Sequence, residues 1–177
     1  MSIEQFVARS EGQWRSMRSA HALAFRQFED VISTIKIERL GINNKEVVDY
    51  LALQSILPGT ISSPFQMTWQ AESDWEPEDA TAVSQGTCIL IPIPGTERTG
   101  HLLRSTGYAE SEPAVSSYNF LDDGTFILKT AYSQSIAEER IWFLSEHVRC
   151  RSSVLRTSEG SGILQTSFSS EVRRIEA

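Results

Sequence analysis

The sequence predicts an all-β fold: a closed antiparallel barrel of about ten strands, with one helix at the N-terminus and one further short helix. Three observations lead there. Period-two alternation recurs along most of the chain, apolar residues keep helical spacing in only two short places, and turn signals separate the strands at short intervals. A sheet of many antiparallel strands avoids aggregation-prone edges by closing on itself.

The elements follow in order. Ser2 to Ala8 has a capping serine, an acid at Glu4, and Ile3, Phe6 and Val7 at helical spacing, so it reads as a short helix acting as a lid or plug. Trp14 to Phe28 reads as the first strand run. Val31, Ile35 and Ile37 then alternate with Lys36 and Glu38. The second helix is predicted over Asn43 to Gln54: Asn43 can cap, Glu46 follows three residues on, Val47, Val48 and Leu51 share a face, and Pro58-Gly59 ends the run.

The clearest strand is Phe65 to Trp75, where Phe65, Met67, Trp69, Ala71, Ser73 and Trp75 alternate with Gln66, Thr68, Gln70, Glu72 and Asp74. Further runs are Thr87 to Ile93, His101 to Tyr108, Val115 to Leu121, Thr125 to Tyr132, Glu139 to Ser145 and Val148 to Arg156, with Asp122-Asp123-Gly124 as one of the turns. Near the C-terminus Leu164, Thr166, Phe168, Ser170 and Val172 alternate with Gln165, Ser167, Glu171 and Arg173, which reads as another half-buried strand. The result is a calycin barrel, of the lipocalin or fatty-acid-binding kind, forming one domain over residues 1–177. Barrels of about this size leave room for one small ligand.

Sixteen basic residues stand against 23 acidic ones, a net charge of -7. Such a field repels phosphate backbones and anionic lipid heads, which argues against nucleic acid and membrane as partners. No apolar run approaches the roughly 20 residues that cross a bilayer, and Glu4 and Arg9 interrupt the N-terminus where a signal peptide needs apolar residues. The expectation is a cytoplasmic protein, or a stromal one in a plastid. Cys88 and Cys150 are too few for a disulfide framework and read as reduced thiols. His21, His101 and His147 lack ligand spacing, so no metal site is expected. The sequence carries no phosphate loop, dinucleotide fingerprint, zinc-protease helix or nucleophile elbow.

What remains is a set of charged and aromatic residues on strands. Arg149, Arg151 and Ser153 share one parity, and Val148, Cys150, Ser152 and Val154 the other. Two guanidiniums on one face either meet solvent or form a fork for carboxylates inside a pocket. Arg18 and His21, on the first strand, are either a surface charge and a core histidine or part of a polar pocket wall. Trp69 and Trp75 suit plain core or an aromatic wall for a flat conjugated ligand. Glu139 shares parity with Ile141 and Phe143, so it either ends a strand in solvent or points inward as a carboxyl that stays protonated or finds an arginine.

Several blocks resemble the S-type (CpcS/CpeS) phycobiliprotein chromophore lyases of cyanobacteria and algal plastids. The opening Ser10-Glu11-Gly12-Gln13-Trp14-Arg15-Ser16-Met17-Arg18-Ser19-Ala20-His21-Ala22-Leu23-Ala24-Phe25 is similar to the family's G-x-W-x-S-x-R-x-x-H-x-L-A-F pattern. Met67-Thr68-Trp69 with Asp74-Trp75 resembles its tryptophan pair, Leu103 to Glu110 its L-R-x-x-G-Y-A-E block, and Glu138 to Phe143 its E-E-R-I-W-F block. Val148 to Ser153 and Phe168 to Arg173 resemble the remaining signatures. Ser169 departs from a common cysteine, and Ala20, Cys150 and Ser152 differ from common choices.

The resemblance implies a barrel that binds phycocyanobilin or phycoerythrobilin as substrate, with no permanent cofactor, and attaches it by a thioether to a cysteine of a phycobiliprotein subunit. It makes Arg18, His21, Trp69, Trp75, Trp142, Arg149, Arg151 and Ser153 candidates for bilin binding, and Glu139, Arg149 and Arg18 candidates for catalysis. It also implies that the basic face of Arg149 and Arg151 turns inward. Two other readings stay open: a non-catalytic bilin carrier, and a lyase subunit that needs a paralogous partner. A homodimer is a further possibility.

Overall fold

Ser2 accepts the amide of Gln5 while the Gln5 side chain accepts the amide of Ser2, and this reciprocal cap starts α1 (Ile3–Ser10). The computed structural model describes residues 1–23, 25–72, 85–105, 114–160 and 162–175. After α1 the order is β1 (Gly12–Ala22), β2 (Gln27–Arg39), α2 (Lys45–Leu53), a 3-10 turn at Pro58–Thr60, β3 (Phe65–Glu72), β4 (Gln85–Pro94) and β5 (Thr99–Arg104). It continues with β6 (Ala114–Phe120), β7 (Phe126–Ala131), β8 (Ser135–Phe143), β9 (Val148–Thr157) and β10 (Ile163–Arg173). Each strand pairs antiparallel with the next, and β1 pairs with β10 to close the barrel.

Several boundaries differ from the sequence expectation; β8, for one, begins at Ser135 and not at Glu139. The run Trp14 to Phe28 is split by a hairpin between Ala22 and Gln27, where Arg26 adopts a φ of 53°. The second helix is capped by Asn44, whose side chain accepts the Glu46 amide, and not by Asn43. The end of the alternation that includes Trp75, and the Gly107-Tyr108-Ala109-Glu110 block, lie outside the described residues.

The barrel has two unlike halves. At one end α1 acts as a plug: Ile3, Phe6 and Val7 are buried, and the Phe6 ring stacks on Phe126 with centroids 4.3 Å apart. Trp14, Ile37, Phe65, Leu90, Phe120 and Ile141 complete a solid core there. Burying each such side chain contributes about 1.5–3 kcal/mol, so the plug is an integral part of the fold. Helix α2 instead packs outside the barrel, with Val47 and Leu51 against Ile91 and Leu103.

Towards the other end the inward residues are small. Cross-strand register puts Ala20, Ser33, Ala71, Gly86, Ser153 and Ser167 on the inner face, and most of these are half-buried despite pointing inward. Among the described residues, inward side chains that still meet solvent mark a lumen at this end. The alternation on β10 contributes its polar set to the interior: Ser169 and Glu171 are buried, while Phe168 and Val172 are exposed on the outer face.

Candidate functional site

Between the plug and the open lumen lies a layer of buried charge. Antiparallel register brings Glu139 of β8 opposite Ser153 of β9, and Arg149 of β9 opposite Glu171 of β10, all on the inner face. Arg104 of β5 reaches across the barrel to Glu139 at 3.3 Å, and Arg151 stands 3.8 Å from the same carboxylate. Arg149 donates from Nε to Glu171 Oε2 in a very close contact. Among the described residues, three guanidiniums, Arg104, Arg149 and Arg151, gather around two carboxylates, Glu139 and Glu171, inside the protein. Charges so deeply removed from water persist only when paired or when a ligand completes them.

The layer is tied to the plug. The Arg149 guanidinium lies 4.4 Å from the centroid of the Trp14 ring, and Arg173 lies 4.3 Å from it. Trp14 donates from Nε1 to the Ser10 carbonyl at 2.8 Å, and Arg173 donates to the carbonyls of Arg9 and Glu11 at the end of α1. The last carbonyls of a helix lack intrahelical partners, and here a strand arginine and an indole supply them.

Burial by itself would raise the Glu171 carboxyl, but the Arg149 and Arg151 charges and hydrogen bonds from Arg149 and Ser16 hold it below the ordinary 4.5. Burial pulls Arg149 down to about 10 against the attraction of Glu171, which leaves it a cation at neutral pH. Between the layer and the plug is a cavity of about 40 Å³, lined by Phe6, Ser10, Arg104, Glu139, Arg149 and Arg151 among others. That volume suits a few water molecules and not a tetrapyrrole.

The structure sorts the residues singled out in the sequence. Glu139, Arg149, Arg151, Ser153 and Trp69 all face the interior. Ser153 shares a hydrogen bond of 2.7 Å with Ser167. Arg18 also faces inward but stands nearer the mouth, paired with Glu29 at 3.0 Å. The Trp69 indole lies flat over Gly86, where a Cβ would come within 2.3 Å of the ring, so the glycine is what lets the aromatic face line the wall. Trp75 lies outside the described residues.

Two residues do not join this group. His21 follows inward-facing Ala20 and therefore points out of the barrel, 4.9 Å from the Phe28 ring. Trp142 follows inward-facing Ile141 and lies on the outer face, 6.1 Å from Phe168. Pocket-wall positions for both are corrected by strand parity. In turn the structure adds Arg104, Glu171, Ser16 and Trp14. Arg104 could have been found from its parity with Leu102, and Glu171 from its parity with Ser167 and Ser169.

A closed ten-stranded antiparallel barrel, plugged at one end by α1 and carrying a layer of buried arginines and carboxylates beside the plug, defines a barrel of the calycin type. The chain belongs to the CpeS-like family: the family model described as CpeS-like protein matches residues 2–174. It is 46% identical over 175 residues to the chromophore lyase CpcS/CpeS 3 of Trichodesmium erythraeum, covering 98% of this chain and 99% of that one. It is 34% identical over 179 residues to the chromophore lyase CpcS/CpeS 2 of a Synechococcus strain, covering 100% and 92%. The solved S-type phycobiliprotein lyase CPES from Guillardia theta matches with a TM-score of 0.84 and 37% identity, covering 100% of this chain and 95% of that chain.

Proposed function

We propose that this protein is a phycobiliprotein lyase that holds an open-chain bilin in the lumen and promotes its attachment to one cysteine of a phycobiliprotein subunit. The observation that carries this reading is the cluster of three arginines, Arg104, Arg149 and Arg151, on the inner face at the base of a lumen lined by small residues. A bilin brings two propionates, both on its central rings. Guanidiniums at the base draw those rings in and leave the outer rings, one of which bears the reacting ethylidene group, towards the mouth.

In this arrangement Arg149 and Arg151 meet one propionate from below, and Arg18, nearer the mouth, meets the other by exchanging Glu29 for it. Trp69 packs on a ring face. Glu139, held by Arg104 and Arg151, accepts hydrogen bonds from pyrrole N–H groups and stabilises the cationic form of the tetrapyrrole, which makes the ethylidene carbon more electrophilic. The cysteine sulfur bonds to that exocyclic carbon and the proton ends on the adjacent ring carbon, so nothing leaves and no oxidant is needed. Either phycocyanobilin or phycoerythrobilin fits this scheme, with phycocyanin, allophycocyanin or phycoerythrin, and the β-subunit first, as acceptor. No helix among the described residues is long and apolar enough to cross a membrane.

The test is co-incubation of the chain with phycocyanobilin and an apo phycocyanin β-subunit, read by zinc-enhanced fluorescence on a denaturing gel. A covalent product confined to one cysteine supports the lyase. Bilin binding without site-selective transfer would make the chain a carrier or one half of a partner-dependent lyase.

A further inference from the structure

Four large apolar side chains stand exposed around one side of the lumen mouth. Leu23 and Phe25 lie in the β1–β2 hairpin, Phe28 at the start of β2, and Ile163 at the start of β10; their exposures are 48%, 76%, 58% and 54%. The two hairpins are locked together, because the Leu23 amide donates to the Leu164 carbonyl at 2.9 Å. Arg26 holds the tip in a left-handed conformation, with φ at 53°, and His21 supports Phe28 from the outer face. The four residues therefore form one built lip.

We infer that this lip is the docking surface for the cysteine-bearing acceptor protein. This rests on the lyase reading above, which places the reacting ring at the mouth. An acceptor thiol can reach that ring only through the mouth, so the acceptor must settle on the surface that borders it. From their exposures and side-chain sizes, the four residues present roughly 450 Å² of apolar surface. A specific interface buries about 800 Å² on each partner, of which somewhat over half is apolar. The lip thus supplies about the apolar share of one such face.

The experiment uses the full chain with Phe25→Ser and Phe28→Ser together, and Leu57→Ser as a control at an exposed apolar site near the plugged end. Bilin affinity is measured by absorbance titration, and transfer by the dependence of its rate on acceptor concentration. The lip predicts unchanged bilin affinity in the double variant, a KM for the acceptor raised about tenfold or more, and wild-type behaviour in the control. A wild-type KM in a double variant that still binds bilin would overturn the inference. So would sedimentation showing that the wild type is a dimer which the double variant dissociates, since the lip then belongs to a second copy. Absence of bilin binding by the wild type marks failure of the lyase reading itself.

Discussion

Arg149 and Glu171 stand directly opposite one another on β9 and β10, each 1% exposed, and form an ion pair in the middle of a β-barrel. Trp14 lies against the guanidinium, and Ser16 hydrogen-bonds the carboxylate. The pair and its Trp14 contact join the charged layer to the plugged end of the barrel.

Removing one half strands the other. Glu171→Ala removes the ion-pair partner of the buried Arg149 guanidinium, and is expected to cost about 3–5 kcal/mol in urea denaturation. Replacing both halves, Arg149→Met with Glu171→Leu, is expected to stay within about 2 kcal/mol of the wild type. The same double variant should bind bilin at least tenfold more weakly, which separates a role in recognition from a role in folding.

Acid should weaken the fold through the same carboxylate. The folded-state value of Glu171 lies below the ordinary 4.5, so its contribution is complete above that pH and is lost as the pH falls through the folded value. Thermal unfolding followed by circular dichroism is expected to show a steady midpoint from pH 7 to about 5 and a decline below pH 4.5. In Glu171→Gln the starting midpoint is lower and the acid decline shallower.

Gly86 is where a single methyl group should matter. A Cβ there meets the Trp69 ring at 2.3 Å, so Gly86→Ala must push the indole off the wall, at about 1–3 kcal/mol. Bilin binding should weaken with it, and a change in tryptophan fluorescence reports the displaced ring. A wild-type emission spectrum in Gly86→Ala would contradict this packing.

Strand parity makes the sharpest contrast among the residues that the sequence singled out. His21→Ser and Trp142→Leu, on the outer face, should leave the bilin dissociation constant within about twofold, whereas Arg151→Leu and Trp69→Leu should raise it at least tenfold. Absorbance titration of the four variants settles the comparison.

The barrel was legible because alternation is a local property: Phe65, Met67 and Trp69 declare one face without help from the rest of the chain. The inward turn of Glu139 was legible for the same reason, through its parity with Ile141. The site was harder, because a polar interior reverses the usual meaning of alternation. On β10 the set containing Ser169 and Glu171 faces in and Phe168 faces out, which only the cross-strand partner Arg149 explains. Arg104 was missed because its partner Glu139 lies 35 residues away on a strand that is not its neighbour. Trp142 entered the site through resemblance and His21 as one of two readings of the first strand, and the parity of their own strands places both on the outer face.

The central claim is that arginines at the base of the lumen recognise the bilin propionates. Its most direct test is a titration of the wild-type chain with phycocyanobilin as the free diacid and as its dimethyl ester, which differ only in charge and two methyl groups. The diacid should bind at least tenfold, about 1.4 kcal/mol, more tightly than the ester, and the gap should narrow in Arg151→Leu. Equal affinity of the wild type for the two forms would contradict the account.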